Sequence, residues 1–200
     1  MLAPRSMPMS FDEYLAWEAD QEEKWELVDG SPVPRSDRWW RDPVTGMAGA
    51  TFGHNRLVAN LMTGLNTRLR GGRCVALPSD LKVRSPTGNA RYPDVVVECG
   101  SPARNSLLAA EPRVLFEVLS PSNTIRQQMR LVADYQAVRS VEQVVFVEQT
   151  RPGALVWTRN PDGWRAETYD GLDAALPLTA LGVELPMAEV YEGLAFEDEG

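Results

Sequence analysis

The chain has 200 residues, of which 44% are hydrophobic, a composition that excludes intrinsic disorder and allows one domain with a buried core. Its net charge of −8 argues against a protein that coats nucleic acid, because neutralising phosphates requires Lys and Arg. The sequence lacks both a run of about 18 apolar residues and an apolar segment near its N-terminus. We therefore expect a cytoplasmic protein with no membrane partner.

Charge is distributed unevenly along the chain. Residues 51–93 contain seven basic residues and one acid, whereas nine acids and no basic residue follow Arg165. These segments either neutralise each other on the folded surface or leave a basic groove for phosphates. Both readings stay open at the level of the sequence.

Cysteine and histidine are scarce. Cys74, Cys99 and His54 are the only residues of these two types. Two cysteines do not make a disulfide framework, so both are predicted to be reduced, core-facing residues. A single histidine excludes a zinc site built from several histidines of one chain.

The predicted elements of the N-terminal half follow from local patterns. Ser10 and Glu13 form a capping box that begins a helix, Asp29-Gly30 predicts the turn of a hairpin, and leucines recur on one face of a long helix. In order, we predict a flexible tail, a helix, a hairpin, a loop and a second helix, at residues 1–9, 10–17, 25–33, 35–50 and 54–70.

The second half reads as an alternation of strands and helices. We predict strands at 74–77, 81–84, 94–99, 114–119 and 144–147, a helix at 126–138, a hairpin at 155–169 and a short helix at 187–194. No internal repeat or linker is present, which indicates a single α/β domain over residues 10–193. Residues 194–200 are predicted to be an acidic tail.

Two carboxylates lie in the most apolar of these strands. Glu117 is inside the run 114–119, and Asp94 begins the run 94–99 directly after Pro93, which places it at a strand start. A buried charge is costly without a partner. If the two strands are neighbours, both carboxylates can bind Mg²⁺ together with water and a phosphate oxygen. The alternative is that Asp94 caps a turn and Glu117 pairs with a buried arginine.

Six sequence blocks accompany this pair in a fixed order. They are WELVDG (25–30), His54, PSDLKVR (78–84), YPDVVV (92–97), EVLSPS (117–122) and Tyr135. In this ordered set the chain resembles the Uma-type putative restriction endonuclease family, which carries a PD-(D/E)XK nuclease core. The resemblance implies a restriction-endonuclease-like α/β core with a mixed central sheet flanked by helices, plus an N-terminal helix-hairpin and a C-terminal hairpin.

The resemblance also implies an active site. In the nuclease superfamily, the Asp of the proline-aspartate pair and the first acid of the later motif bind Mg²⁺, which maps to Asp94 and Glu117. A lysine two residues after that acid normally stabilises the transition state, but Leu119 stands there. Family members carry a lysine on the next helix, four residues before the tyrosine, and Leu131 stands there.

Other cations are candidates for the catalytic charge. Arg130 and Arg126 lie on the helix that follows Glu117, and Lys82 lies on an earlier strand. Arginine is a poor proton donor and does not simply replace lysine. We therefore predict that Asp94, Glu117, Lys82 and Arg130 are catalytic and that Arg126 is a further candidate.

Four weaker site candidates remain. Glu26 is predicted as a third metal ligand, with an exposed acid of the hairpin as the alternative. His54 could carry a proton or position water, or it could simply begin a helix. Asp80 could line the site, although a turn is favoured, and Tyr135 could face the site, although packing is favoured.

Three functions compete. The first is a Mg²⁺- or Mn²⁺-dependent endonuclease that hydrolyses phosphodiester bonds of DNA, working as a homodimer. The second is a catalytically decayed member of the same fold that binds nucleic acid or protein. The third is a small dimeric protein whose tryptophans mediate self-association, and the residues concerned are Trp39, Trp40, Trp157 and Trp164.

Overall fold

A computed structural model of the protein describes residues 8–35, 50–120 and 123–196. The helices are α1 (Phe11–Glu18), α2 (Phe52–Leu69), α3 (Ile125–Gln136) and α4 (Met187–Val190). The strands are β1 (Trp25–Val28), β2 (Ser31–Pro34), β3 (Val75–Pro78), β4 (Val83–Arg84), β5 (Ala90–Arg91), β6 (Val95–Glu98), β7 (Pro112–Leu119), β8 (Gln143–Glu148), β9 (Gly153–Asn160), β10 (Gly163–Asp170), β11 (Ala175–Leu178) and β12 (Val183–Pro186).

The centre of the fold is a six-stranded mixed sheet in the order β10-β9-β8-β7-β6-β3. β7 and β8 are parallel, and the other neighbours are antiparallel. One face packs against α2, α4 and the β11–β12 hairpin, and the other packs against α3. Because both faces are covered, β6 and β7 are continuous apolar runs. The predicted mixed sheet flanked by helices is confirmed.

A smaller sheet, ordered β2-β1-β5-β4, packs against α1. The predicted capping box is present, since the Ser10 side chain accepts from the Glu13 amide and Glu13 accepts from the Ser10 amide. Asp29 and Gly30 have φ of 50° and 74°, the left-handed backbone that a tight two-residue hairpin turn requires. The predicted N-terminal helix and hairpin are therefore confirmed.

The cysteine prediction was wrong. Cys74 and Cys99 form a disulfide with a Cα–Cα distance of 4.1 Å. β3 and β6 pair so that Val75 lies opposite Glu98, which makes the two cysteines the next cross-strand pair. The two cysteines are 25 residues apart in the sequence. Their contact could not be predicted from that spacing, because it depends on the pairing of β3 with β6.

The chain ends differ from the sequence prediction in detail. Met9 was assigned to the tail, yet it is buried and its amide donates to the Gly30 carbonyl. Leu194 and Phe196 were assigned to the acidic tail, yet both pack against the main core. The β11–β12 hairpin was not predicted, and it occupies part of the acidic C-terminal region. Residues 1–7 and 197–200 lie outside the described part of the chain.

Of the four tryptophans proposed for self-association, two lie in the described part of the chain. Trp39 and Trp40 lie outside the described residues. Trp157 and Trp164 are half-buried against the α3 side of the sheet, and the Arg159 guanidinium lies 4.6 Å from the ring centroid of Trp164. These two rings therefore pack within the fold.

Among the described helices, none combines the length and apolar character needed to cross a bilayer.

Candidate active site

Asp94 and Glu117 lie side by side in the central sheet. β6 and β7 are antiparallel neighbours with Val95 opposite Phe116, and the next pair is Asp94 and Glu117. The Asp94 amide donates to the Phe116 carbonyl (3.0 Å), and both carboxylates are 1% exposed. The condition that the sequence analysis set for a shared site, that these two strands are neighbours, is met.

The Asp94 carboxylate is held by groups from three elements. Its Oδ2 accepts from the Val118 amide at 2.8 Å and lies 3.3 Å from His54 Nε2, and its Oδ1 lies 3.4 Å from Arg35 Nη2. His54 reaches this position because Thr51 caps α2 by accepting from the His54 amide at 3.2 Å. The predicted helix-opening histidine therefore contacts the predicted metal ligand.

Glu117 is positioned from the opposite face of the sheet. Its Oε1 accepts a hydrogen bond from the Tyr135 hydroxyl of α3, and Tyr135 is fully buried. Tyr135 belongs to the apolar cluster that joins α3 to the sheet. This tyrosine both packs and contacts the site, which the sequence analysis had treated as alternatives.

A cavity of about 200 Å³ opens beside Glu117. It lies between the hairpin, the end of β7 and the first half of α3. The residues that line it include two acids, two arginines and two leucines, namely Glu26, Glu117, Arg91, Arg130, Leu119 and Leu131. Both positions where the resemblance leads one to expect a lysine therefore face this cavity as leucines.

Arg91 was missed by the sequence analysis. Its Nη1 donates to Glu26 Oε2 at 2.9 Å and its Nε to Asp134 Oδ2 at 2.7 Å, while Asn89 donates to Asp134 Oδ1 at 2.7 Å. Burial lowers the pKa of Arg91, but the charges of Glu26 and Asp134 outweigh it and raise that pKa. The available signal was Asp134, an acid on the buried face of α3 beside Tyr135.

Lys82 lies in a different pocket. Its Nζ is 2.9 Å from Glu18 Oε2, with side chains 6% and 8% exposed, and it lies 5.1 Å from the ring centroid of Tyr92. The Tyr92 hydroxyl donates to Glu18 Oε1 at 2.6 Å. This pocket of about 290 Å³ lies beside α1. The structure therefore does not bring Lys82 to the cavity that Glu117 lines.

The remaining candidates are spread around the site. Arg130 lines the Glu117 cavity and forms an exposed ion pair with Asp29, whereas Arg126 is exposed on α3. Asp80 adopts a turn with φ of 118° and pairs with Lys24, and it lies 3.9 Å from Arg35. Of the three predicted cations, Arg130 is the one that lines this cavity.

The donor set suits a hard cation that keeps much of its hydration. Within residues 8–35, 50–120 and 123–196, no group of three or more His, Cys, Asp or Glu side chains is arranged to hold a metal. Glu26, the predicted third ligand, accepts from Arg91 and from the Tyr92 amide. Asp94 and Glu117 supply carboxylate oxygens, and Mg²⁺ is commonly bound by one or two carboxylates with water and phosphate oxygens. The carboxylate chemistry of the pair is therefore compatible with a divalent metal.

Comparison with known proteins identifies the family. The model of the Uma2 family, described as "Putative restriction endonuclease", matches residues 11–188. The chain belongs to the Uma2 family. A relative in sequence, described as "Uncharacterized protein slr1290" of Synechocystis sp., is 30% identical over 191 residues, which cover 94% of each chain.

A solved structure shares the Uma2 fold. It is described as a putative nuclease belonging to DUF820 from Anabaena variabilis, and it superposes with a TM-score of 0.70. The match covers 92% of this chain and 97% of that chain at 14% sequence identity. At this identity the likeness establishes the nuclease-like fold and leaves the residue roles to the geometry.

Proposed function

We propose that this Uma2 protein is a Mg²⁺-dependent endonuclease that hydrolyses phosphodiester bonds of DNA. One observation carries the proposal: two buried carboxylates, Asp94 and Glu117, occupy opposed positions where the adjacent strands β6 and β7 pair, and Glu117 lines an open cavity. The family description supports nuclease chemistry. A homodimer would present two such sites to the two strands of duplex DNA.

The proposed mechanism assigns roles to residues of this chain. Asp94 and Glu117 would hold the metal, which when bound polarises a phosphodiester and activates water. The Val118 amide and the Tyr135 hydroxyl orient the two carboxylates, as outer-shell groups do in metal sites. His54, 3.3 Å from Asp94, would accept or return a proton during the reaction.

Arg130 has a separate role in the proposal. It is an exposed cation on the cavity wall, so it can contact a phosphate of the DNA backbone without being part of the metal site. Its pairing with Asp29 is exposed and therefore contributes little to stability. DNA can displace this pair at small cost.

A second function is favoured by one specific observation. Leu119 and Leu131 both face the cavity at the places where the family resemblance leads one to expect a lysine. A protein that keeps the carboxylates but lacks the catalytic charge would bind metal and DNA without cutting. The alternative is therefore a nuclease-fold protein that acts as a nucleic-acid-binding or protein-interaction module.

Plasmid cleavage separates the two functions. Wild type is incubated with supercoiled DNA in Mg²⁺, in Mn²⁺ and in EDTA, beside Asp94→Ala, Glu117→Ala and a control, Glu184→Ala, whose side chain is exposed. We expect metal-dependent nicking by wild type and the control, and none by the two site variants. Metal-dependent DNA binding without nicking by wild type supports the decayed module. Equal behaviour of all four proteins contradicts the active-site assignment.

A further inference from the structure

Arg91 is the buried cation of the Glu117 cavity. The side chain is 7% exposed, and it lines the cavity together with Glu26 and Glu117. The cavity has leucines at both expected lysine positions. A positive charge of the cavity wall that takes part in the reaction must therefore come from a position other than 119 or 131. Arg91 is a buried cation of this wall.

The backbone explains why Arg91 occupies this place. β5 pairs with β1 so that Ala90 lies opposite Leu27, which brings Arg91 beside Glu26 on the neighbouring strand. The guanidinium then reaches Asp134 on α3 through Nε (2.7 Å) and Nη2 (2.5 Å). Arg91 thus connects β1 to α3, the two elements that border the cavity opposite the end of β7.

The guanidinium contacts two acids. An arginine has five N–H donors in a fixed planar fork; Nη1 and Nε donate hydrogen bonds to Glu26 and Asp134, and Nη2 forms an ion pair with Asp134. The fork holds Glu26 and Asp134 at fixed positions, and its charge persists at every pH at which the protein is folded. An arginine can therefore supply positive charge to the cavity, but it cannot supply a proton.

We propose that Arg91 supplies positive charge to the cavity wall, in the electrostatic role that a lysine at 119 or 131 would otherwise have, and that it also positions Glu26. It holds Glu26 at the cavity wall, and its charge stabilises negative charge that develops on a phosphate bound beside Glu117. The inference rests on the proposed nuclease function. A purely structural role, in which Arg91 only connects β1 to α3, is the competing explanation.

Metal affinity distinguishes these roles, because the two explanations predict different signs. Removing the positive charge of Arg91 favours binding of a cation by the carboxylates of the cavity wall, Glu26 and Glu117. Loss of packing, in contrast, weakens binding of the cation. The test variants are Arg91→Gln and Arg91→Lys. The matched control is Arg113→Gln, since Arg113 on β7 also contacts two acids, Glu142 at 2.7 Å and Glu111 at 3.4 Å, outside the cavity.

Titration calorimetry with MgCl₂ and single-turnover cleavage of plasmid DNA are measured on the same samples. We expect Arg91→Gln to bind Mg²⁺ several-fold more tightly and to cleave about 10–100-fold more slowly, the range seen for outer-shell groups. Arg91→Lys should keep wild-type metal affinity and lose less activity than Arg91→Gln. Arg113→Gln should match wild type in both measurements.

Several outcomes overturn the inference. Arg91→Gln that cleaves like wild type contradicts it, and so does a parallel fall of metal affinity and cleavage in proportion to the folded fraction by circular dichroism. If Arg91→Gln does not fold, Arg91→Lys decides: a folded Arg91→Lys that keeps wild-type Mg²⁺ affinity but loses cleavage contradicts the electrostatic role, because lysine keeps the positive charge. Absence of Mg²⁺ binding and cleavage in wild type refutes the proposed function itself, and the inference falls with it.

Discussion

Two pockets of this protein share a buried carboxylate that accepts a hydrogen bond from a tyrosine. Glu18 accepts from Tyr92 beside α1, and Glu117 accepts from Tyr135 beside α3. In the first pocket the Lys82 ammonium binds the carboxylate directly at 2.9 Å. In the second pocket Glu117 shares the wall with Glu26, Arg91 and two leucines, and Asp94 lies opposite Glu117 on the neighbouring strand β6.

In the proposed function, this difference separates a structural acid, Glu18, from a ligand-binding acid, Glu117. Glu18 and Lys82 form a buried ion pair that joins α1 to the strand region that follows β3. Asp94 and Glu117 occupy opposed positions on β6 and β7, and the basic groups near Asp94, Arg35 and His54, lie at 3.4 Å and 3.3 Å, farther than Lys82 lies from Glu18. We propose that the second arrangement is the one that binds a divalent metal.

The largest expected effect compares Glu117→Gln with Glu18→Gln. Loss of one of two metal-binding carboxylates should lower the cleavage rate about a thousandfold, or about 4 kcal/mol in activation free energy. Glu18→Gln should keep the cleavage rate of the folded protein. Single-turnover kinetics at saturating Mg²⁺ measures both, and equal losses in the two variants would mean that the pockets do not differ in function.

Lys82→Met tests the structural pocket. It leaves Glu18 buried beside Tyr92 without its cation, and breaking one side of a buried pair costs about 3–5 kcal/mol. Urea unfolding should show this loss of stability, while the folded variant keeps its Mg²⁺ affinity. A loss of metal binding with unchanged stability would instead assign Lys82 to the active site.

Leu131→Lys introduces the missing cation into the second pocket. Leu131 is 6% exposed and lines the cavity with Glu117, so a lysine there can stabilise charge on a bound phosphate. Cleavage should rise about tenfold, a modest share of what a preorganised donor contributes. Met129→Lys, at an exposed position of the same helix, controls for added charge, and an equal gain in both would exclude a specific effect.

Alkaline unfolding sharpens the comparison further. Burial, and then the hydrogen bond to Glu18, raise the pKa of Tyr92 above the ordinary tyrosine value of 10.0. The contribution of Tyr92 to the free energy of unfolding is therefore fully present below pH 10. It falls as the pH rises towards the pKa of Tyr92 in the folded protein, by up to about 1.4 kcal/mol per pH unit. Tyr92→Phe should flatten the decline measured by urea unfolding between pH 9 and 11. The same decline of stability with pH in Tyr92→Phe and wild type would show that Tyr92 does not cause it.

The local sequence was sufficient for most elements of the fold. The capping box at Ser10 and the Asp29-Gly30 turn act over a few residues, so their signals are complete in the sequence. The apolar runs around Asp94 and Glu117 marked central strands because both faces of the sheet are covered. The pairing of these two strands stayed a condition at the level of the sequence, and the assignment of Asp94 and Glu117 to one site stays a prediction that the family resemblance supports.

The features that the sequence did not predict correctly depend on contacts between distant segments of the chain. Cys74 and Cys99 meet only because β3 pairs with β6, and the sequence carries no sign of that register. Arg91 is one of several bases in a basic segment, and only the β1–β5 pairing directs it to Glu26 and Asp134. Lys82 looked available because its partner, Glu18, lies 64 positions earlier on a separate helix.

Calorimetric titration of Mg²⁺ into wild type, Asp94→Ala and Glu18→Gln tests the central claim most directly. If Asp94 and Glu117 form a metal site, wild type and Glu18→Gln should bind the ion with similar affinity, and Asp94→Ala should show no saturable heat while remaining folded. The same isotherm for wild type and Asp94→Ala would contradict the account, because the ion would then bind elsewhere or not at all.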